Sequence, residues 1–283
     1  MVEITCIGEL LVDMIADEKG SLKQNEKFLK RPGGAPANVA VSASRMGADV
    51  SLIASVGDDE FGEFLFEKME EEGIETGGIE MLDRKTTLAF ASLDKDADPH
   101  FSFYRGADEK ITLEQLQDID SDVLHVGSLP FTDEETAENI FHVLNDLDVR
   151  VSFDPNIRPE IMTESYRGRL EKMFDFTDIL FVAEKELEFF GGAEKLKEKI
   201  EKVIVTKGEQ GAELIHGDER LEASPPEVEV VDTTGAGDAF TGAYLANIDD
   251  SDEEALSKGV QASAYSITEK GAMSALPYSN ELE

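Results

Sequence analysis

Six short apolar runs rich in valine and isoleucine recur along the chain, and most segments between them carry apolar residues at helical spacing. Runs of this length with branched side chains are typical of buried β-strands. The runs lie at residues 2–7, 50–56, 122–126, 149–153, 178–182 and 202–206. Helical spacing is clearest at residues 36–46, 60–72, 133–146 and 252–268. This alternation predicts an α/β fold with a mostly parallel sheet and helices on both of its faces.

Residues 86–106, TTLAFASLDKDADPHFSFYRG, break this alternation. Apolar and polar residues alternate there in two arms around a turn-rich centre, a pattern that favours an antiparallel hairpin. We expect this hairpin to lie outside the main sheet and to act as a lid.

The charge of the chain limits its partners. Aspartate and glutamate number 62 against 26 lysines and arginines, for a formal net charge of -36 over 283 residues. Because nucleic acids and anionic membranes are themselves polyanions, neither is an expected partner. The acidic residues are dispersed along the chain, which favours solvated helix faces and suggests a halophile-type surface suited to a salt-rich cytoplasm.

The positions of cysteine and histidine residues argue against a disulfide or a zinc site, and the hydropathy of the chain argues against a membrane span. The single Cys6 cannot form an internal disulfide, and the four scattered histidines match no zinc-binding spacing. No run approaches the roughly 18 apolar residues of a membrane span, and the N-terminal MVEITCIGEL lacks the pattern of an export signal. We therefore expect a cytoplasmic location.

The stretch DTTGAGDAF, residues 232–240, carries the strongest chemical signal. We expect a short strand to end at Val231, a glycine turn to follow, and Asp238 to lie in the first turn of a helix. Backbone N–H groups at such a turn can hold a phosphate, and the helix dipole favours an ionised Asp238 that accepts a proton. A base beside a phosphate site indicates phosphoryl transfer to a hydroxyl. On spacing alone, an aspartate that merely caps a helix fits equally well.

Other phosphate-binding designs are excluded by the sequence. No Gly-Lys dipeptide occurs, so the P-loop motif is absent, and so are the His-Arg-Asp and Asp-Phe-Gly motifs of protein kinases. The segment GAGDAF also lacks the third glycine of a dinucleotide-binding fingerprint.

A second glycine-containing segment, RPGGAPANVAVSASRMG, lies near the N-terminus. Gly33 and Gly34 allow the backbone to approach a ligand, and Asn38 offers both a donor and an acceptor from the first turn of a helix. Asp13, after the first strand, can accept hydrogen bonds from a polyol. An ordinary loop before a helix, and a carboxylate that ends a strand in solvent, are the alternatives.

Together, GGAPANVA and DTTGAGDAF resemble the two signature segments of the ribokinase-like carbohydrate kinases, and the chain is most similar to their fructokinases. The similarity spans nearly the whole chain, including IGELLVD, VGDDEFG, FDPNIRP, VTKGEQGA and KGAMSALP. It implies a single three-layer α/β/α domain over residues 1–283, with a small β lid formed by about 10–30 and 84–106. It further implies transfer of the γ-phosphate of ATP to a sugar hydroxyl, with Mg²⁺ as cofactor. Pairing of lids in a homodimer is also compatible with the family.

The resemblance implies roles for residues around the two signatures. Asp238 matches the catalytic base, and the N–H groups of Gly235, Ala236 and Gly237 match the anion hole. The residues that match sugar ligands are Asp13, Gly33, Gly34 and Asn38.

Further roles concern ATP and cations. The residues that match the phosphate-lining segment of the nucleotide site are Thr206, Lys207, Gly208 and Gly211, together with Gly235 and Gly237. The residues that match a monovalent-cation site, for K⁺, are Asp232, Thr234, Gly271 and Ser274.

One departure affects the magnesium site. Relatives carry Asn-x-x-Glu after the fifth main strand, but this chain has FVAEKELEFF. Glu186 matches the glutamate that organises Mg²⁺ through water, and Ala183 replaces the asparagine. A sensor that binds sugar or nucleotide without turnover is therefore a second hypothesis.

Two arginines bear on the identity of the sugar. Arg105 in FSFYRGADEKI and Arg158 in FDPNIRPE are candidate substrate ligands, because an arginine fork suits hydroxyls or a carboxylate. Ion pairs with acidic neighbours are an equally good explanation. The segments PGGAPANVA, FYRGAD and DPNIRP are most similar to fructokinases. Kinases of 2-keto-3-deoxygluconate share both arginines, so they are the alternative, together with ribokinases.

Overall fold

The computed structural model describes residues 1–93 and 99–282. Thirteen strands and eight helices are found in this part of the chain. The strands are β1 (Glu3–Ile7), β2 (Leu11–Ala16), β3 (Phe28–Gly33), β4 (Asp49–Gly57), β5 (Ile79–Leu82), β6 (Leu88–Leu93), β7 (Pro99–Tyr104), β8 (Val123–Val126), β9 (Arg150–Phe153), β10 (Ile179–Ala183), β11 (Lys202–Thr206), β12 (Ala212–His216) and β13 (Glu219–Ala223). The helices are α1 (Ala35–Arg45), α2 (Glu60–Glu71), α3 (Glu134–Leu144), α4 (Glu164–Met173), α5 (Leu187–Phe190), α6 (Ala193–Leu196), α7 (Ala236–Ala246) and α8 (Asp252–Ser266).

Nine strands form one large sheet in the order β13-β12-β11-β10-β9-β8-β1-β4-β5. The seven strands from β11 to β5 pair in parallel, and β12 and β13 are antiparallel. All six strands and all four helices predicted from the hydrophobic pattern are present, within a few residues of the expected bounds.

Helices pack on both faces of this sheet, so the body has three layers. One hydrophobic cluster joins the sheet to α1, α2, α7 and α8 through residues such as Val39, Leu65 and Phe240. The other joins the opposite face to α3 and α4, for example through Ile140 and Leu170. The expected α/β/α architecture is confirmed.

The region after β11 differs from the sequence prediction. The strand expected to end at Val231 is not formed, since residues 224–230 have no regular secondary structure. Pro225 and Pro226 have no N–H group to donate to a strand ladder, and Val230 is 60% exposed. An antiparallel hairpin of β12 and β13 extends the sheet instead.

A second sheet has four strands in the order β3-β2-β6-β7. The pairs β2–β3 and β6–β7 are antiparallel, and β2 pairs with β6 in parallel. The predicted antiparallel hairpin is formed by β6 and β7, and its centre, residues 94–98, lies outside the described residues. We use the word lid below as a name for this four-stranded sheet. Among the helices of the described chain, none is long and apolar enough to cross a membrane.

Candidate active site

Two cavities meet at the start of α7. The first, of about 560 Å³, lies between the lid and the carboxyl ends of β1, β9 and β10. The second, of about 720 Å³, lies between the β11–β12 turn, the 225–230 segment and α8. Their shared lining is Thr206, Thr233, Ala236 and Gly237. Ligands of open parallel sheets bind at this edge, so the geometry suits two substrates that react where the cavities join.

The glycine turn before α7 has the conformation that the sequence predicts. Gly235 precedes the helix with a φ of +79°, and a Cβ there would lie 2.7 Å from the Cβ of Ala272. A residue other than glycine would be strained and crowded at this position. The first N–H groups of α7 therefore lie at the junction of the cavities, where helix geometry favours an anion.

Asp238 is the third residue of α7 and is only 8% exposed. Its Oδ2 accepts a hydrogen bond of 2.7 Å from Nδ2 of Asn38 on α1. Burial raises the pKa of Asp238 to about 7, while the bond from Asn38 acts in the opposite direction. The sequence argument that the helix dipole keeps Asp238 ionised did not take into account the loss of solvent around this carboxyl, which raises its pKa. A carboxylate with this pKa is suited to accept a proton near neutral pH.

Asn38 keeps one free group at the cleft. Its Oδ1 is buried and has no hydrogen-bond partner among the described residues. Because a buried polar atom without a partner is costly, this oxygen suits a ligand hydroxyl.

Asp13 follows β1, as the sequence predicts, and it lies within β2 of the lid, where it lines the first cavity. A Cβ at Gly33 would lie 2.1 Å from Oδ2 of Asp13, so this glycine makes room for the carboxylate. Burial raises the pKa of Asp13 to about 7. Gly34 has a φ of +110° and a Cβ there would lie 2.2 Å from the carbonyl oxygen of Glu9.

Of the two arginines, Arg158 lines the cleft. Its Nη2 lies 3.5 Å from Oε1 of Glu9, and its Nη1 donates hydrogen bonds of 3.3 Å to Oγ of Ser128 and to the carbonyl of Asn156. The guanidinium of Arg158 thus lies in the wall of the first cavity with the buried carboxylate of Glu9 beside it.

Arg105 is placed differently. Its Nη2 lies 2.8 Å from Oδ2 of the buried Asp108, and its Nη1 donates to Oγ1 of Thr132 at 3.4 Å. The described residues that line the cleft do not include it. In this arrangement Arg105 makes the ion pair that the sequence left as an alternative.

Two further carboxylates line the first cavity, the buried Glu186 and the less buried Asp154. Oε1 of Glu186 accepts from the N–H of Ile157 at 2.9 Å, and Oε2 accepts from the N–H of Ala183 at 3.2 Å. Asp154, directly after β9, has a pKa raised well above its usual value by burial, with further contributions from Glu186 and Asp238.

This donor set fits Mg²⁺ bound together with a nucleotide. Within the described chain, no cluster of three or more metal-ligating side chains occurs. Magnesium commonly keeps several waters and binds through one or two carboxylates and the phosphates of its substrate. Glu186 and Asp154 would supply those carboxylates, and the backbone N–H of Ala183 donates to the first of them.

The second cavity is lined by Thr206, Gly208 and Gly211 of the predicted nucleotide segment. Lys207 points elsewhere: its Nζ lies 2.8 Å from Oε2 of Glu213, and it is not among the described residues that line either cavity. Contact between Lys207 and phosphate would require this ion pair to break.

The four residues predicted for a monovalent cation lie together. Oδ1 of Asp232 accepts from the N–H and Oγ1 of Thr234 at 3.0 and 2.7 Å, and its Oδ2 accepts from the N–H of Gly271 at 2.9 Å. A Cβ at Gly271 would lie 2.7 Å from Oγ of Ser274. Asp232 thereby ties the loop before α7 to the loop after α8.

Sequence reasoning missed two carboxylates of the cleft, Glu9 and Asp154. Both follow strands of the parallel sheet, Glu9 two residues after β1 and Asp154 one residue after β9. A search for polar residues at strand ends could have found them. Phe103 and Ala89 of the lid also line the cleft, and they carry no polar signal.

A three-layer body with a small second sheet, a glycine turn at the junction of two cavities and a buried aspartate beside that junction fits a phosphotransferase of small molecules. The chain belongs to the pfkB family of carbohydrate kinases, whose family description matches residues 1–278. Its structural neighbours share the ribokinase-like fold at TM-scores of 0.85–0.91.

Curated relatives and solved structures agree with this family. Fructokinase-1 of Zea mays is 34% identical over 311 residues, covering 99% of this chain and 96% of the relative. An uncharacterized sugar kinase from Pyrococcus horikoshii, solved in complex with ATP, has 31% identity and a TM-score of 0.89 over 98% of this chain and 96% of that chain. Fructokinase from Vibrio cholerae O395, solved with fructose, ADP and calcium ion, has 28% identity and a TM-score of 0.88 over 100% and 98% of the two chains. A double mutant of the Vibrio enzyme was solved with fructose, ADP and potassium ion, at 27% identity and a TM-score of 0.89 over 100% and 97%.

Proposed function

We propose that this carbohydrate kinase is a fructokinase that transfers the γ-phosphate of ATP to a primary hydroxyl of fructose. The carrying observation is the position of Asp238, which is buried, lines the first cavity and accepts a hydrogen bond of 2.7 Å from Asn38. The residue before it, Gly237, belongs to the lining that the two cavities share. The fructokinase names of the plant and Vibrio relatives support the choice of sugar.

In the proposed reaction, fructose lies in the first cavity between the lid and α1. Asp13, Arg158 and the free Oδ1 of Asn38 contact its hydroxyls, with the backbone of Gly33 and Gly34 beside them. ATP lies in the second cavity, with its phosphates reaching the N–H groups at the start of α7. Positioning of the two substrates supplies much of the rate acceleration.

Asp238 accepts the proton of the attacking hydroxyl. The hydroxyl oxygen forms a bond to the γ-phosphorus, the bond between that phosphorus and the β–γ bridging oxygen breaks, and ADP leaves. The N–H groups of Gly235, Ala236 and Gly237 stabilise the charge on the transferring phosphoryl group. Magnesium, when bound, neutralises phosphate charge; Glu186 and Asp154 would hold it, and Asp232, Thr234, Gly271 and Ser274 would hold a potassium ion.

Other features belong to the same proposal. Residues 1–283 act as one kinase domain, with the lid able to pair in a homodimer, and the -36 charge suits a salt-rich cytoplasm. A sugar acid is a less suitable acceptor because Arg158 and Arg105 already have carboxylate partners, Glu9 and Asp108.

A coupled assay of ADP release tests the function. Wild-type protein is assayed with fructose, ribose and 2-keto-3-deoxygluconate, with Mg²⁺ and K⁺ present, and fructose is expected to give the highest kcat/KM. A higher kcat/KM with either other sugar would overturn the choice of fructose while leaving the kinase intact.

Asp238→Asn tests the base. We expect kcat to fall by about 10²–10⁴-fold, because general-base catalysis contributes in this range, while ATP binding measured by calorimetry is retained. Asp252→Asn, at the first turn of α8 and ion-paired to Lys202, is a matched control that should keep its turnover. Turnover near the wild-type value in Asp238→Asn would remove this residue from the base role.

A further inference from the structure

Glu9 lies in the short connection between body strand β1 and lid strand β2, and it is only 1% exposed. Two glycines enclose it: a Cβ at Gly34 would lie 2.2 Å from its carbonyl oxygen, and a Cβ at Gly127 would lie 3.4 Å from its Oε2. That Oε2 is buried and has no hydrogen-bond partner among the described residues. A carboxylate is costly in such a place, so its retention calls for a function.

The other oxygen of Glu9 joins two sugar-binding segments. Oε1 accepts from the N–H of Ala35 at 3.2 Å, at the first residue of the helix that carries Asn38. The same oxygen lies 3.5 Å from Nη2 of Arg158, in the loop after β9.

Arg158 extends these links to two further loops. Its Nη1 donates to Oγ of Ser128, in the loop after β8, and to the carbonyl of Asn156. The pair therefore connects the lid, the start of α1 and the loops after β8 and β9.

The pair also contributes opposite charges around Asp238. The ionisable groups that act on Asp238 are Glu9 from the β1–β2 connection, Asp13 from the lid, and Arg158 from the loop after β9. Asp238 and Asp154, at the start of that loop, also interact. Burial raises the pKa of each of these carboxyls. Arg158 opposes that rise in all of them, whereas Glu9 adds to the rise at Asp238.

We propose that Glu9 and Arg158 form a positioning pair, which holds the sugar-binding segments in register and sets the charge balance beside Asp238. This inference rests on the proposed role of Asp238 as base. It gives Arg158 a task besides contact with the sugar, and it gives Glu9 a task in a reaction that does not involve it directly.

The pH dependence of kcat distinguishes this task from simple structural support. Because Asp238 acts as a base when ionised, kcat rises with pH through its pKa. We call the pH range over which kcat rises the acid limb of the profile. Glu9→Gln keeps an acceptor for the N–H of Ala35 but removes the negative charge, so the acid limb should move to lower pH. Arg158→Gln removes the positive charge, so the acid limb should move to higher pH. We expect shifts of about half a pH unit or more in these opposite directions, measured across about pH 5–9.

A third variant separates position from charge. Arg158→Lys keeps the charge but loses the planar fork, so KM for fructose should rise about threefold or more while the acid limb stays in place. If Glu9→Gln fails to fold, the contrast between Arg158→Gln and Arg158→Lys still decides the role of charge.

The ion pair between Arg45 and Glu72 is a matched control. Nη2 of Arg45 lies 2.8 Å from Oε1 of Glu72, and both side chains are poorly exposed. Neither residue is in the lining described for the two cavities. Glu72→Gln and Arg45→Gln should lower Tm and leave KM for fructose and the pH profile unchanged. The inference would be overturned if the acid limb of kcat stayed at the same pH in Glu9→Gln and Arg158→Gln, or if it moved in the same direction in both variants. If Asp238→Asn is inactive in that case, the proposed function still stands; if Asp238→Asn keeps its turnover, the function itself fails.

Discussion

Nδ2 of Asn38 donates to Oδ2 of Asp238 at 2.7 Å, across a separation of 200 residues in the chain. The bond joins α1, which follows the first glycine segment, to α7, which follows the second. The two helices pack closely because Gly242 faces Ser42: a Cβ on that glycine would lie 2.4 Å from the Cβ of Ser42. Oγ of Ser42 also donates to the carbonyl of Ala239 at 2.9 Å. Helix packing thus fixes the distance between the proposed base and its neighbour.

Asn38→Ala should shift the acid limb of kcat to higher pH. Burial raises the pKa of Asp238, and the hydrogen bond from Asn38 lowers it. Loss of this bond should therefore raise the pKa further and reduce the ionised fraction of Asp238 at about pH 7. We expect kcat at about pH 7 to fall roughly threefold to tenfold, with partial recovery at higher pH. Asn139→Ala, which removes a bond of 3.0 Å to the carbonyl of Ile111, is the control. An unshifted limb in Asn38→Ala would contradict the role given to this bond.

Asp13→Asn should stabilise the protein at alkaline pH while weakening sugar binding. Burial raises the pKa of Asp13 from 3.8 to about 7, so the folded state binds this proton more tightly than the unfolded chain does. The stability contributed by this group is full below its unfolded pKa and is lost as pH rises through about 7. Because the side chain is partly exposed, we expect a gain of about 1–2 kcal/mol at alkaline pH, or roughly 2–8 °C in Tm.

Thermal unfolding of Asp13→Asn at about pH 5.5 and pH 8 measures this difference. The gain should be larger at the higher pH, and KM for fructose should rise at both. Asp175→Asn, at an exposed ion pair with Lys199, should change Tm little. A gain that is independent of pH would mean that ionisation of Asp13 does not limit stability.

Two glycine substitutions at the start of α7 should have different effects. Gly235→Ala places a methyl group 2.7 Å from the Cβ of Ala272 at a positive φ, so both Tm and kcat should fall. Gly237→Ala meets no atom within 4 Å and adds a better helix former, so Tm should hold or rise slightly.

The activity of Gly237→Ala is the informative measurement. If a phosphate lies against this backbone, the added methyl group obstructs it, and kcat/KM for ATP should fall about tenfold or more, a loss of roughly 1.4 kcal/mol. Full activity with unchanged Tm would place the transferring phosphate elsewhere.

Salt should stabilise the folded protein. At a net charge of -36, repulsion between carboxylates opposes compaction, and the screening length falls from about 30 Å at 0.01 M salt to about 3 Å at 1 M. Urea unfolding at about 0.01 M and 1 M KCl should therefore give a larger free energy of unfolding in high salt. Repeating the series with choline chloride separates screening from specific binding of K⁺. A free energy that decreases with KCl would contradict a salt-adapted surface.

The sequence was sufficient for features that depend on local pattern. Buried parallel strands are nearly continuous runs of valine and isoleucine, as in Val203–Val205, so their positions could be predicted. The β12–β13 hairpin was missed because charged residues, namely Glu213, Glu219 and Arg220, interrupt its apolar positions. Conversely, Val230 belongs to an apolar pattern but lies in a segment without regular secondary structure and is 60% exposed.

Partners across the fold were harder to predict than the residues themselves. Asp238 was identified from its local glycine turn, but its pKa depends on burial, which the local motif does not reveal. Lys207 was expected near phosphate, and only the pairing of β11 with β12 brings Glu213 to it. Glu9 gave no local signal beyond its place after a strand, since its contacts with Ala35 and Arg158 come from distant segments.

The first cavity, where we propose that the sugar binds, takes one wall from the lid and another from α7, and the two walls are built from separate stretches of chain. Ala89 and Phe103 belong to lid strands, whereas the glycine turn and Asp238 belong to the body. Mutations in the lid can therefore alter which acceptor fits during evolution, while the machinery for phosphoryl transfer is inherited intact.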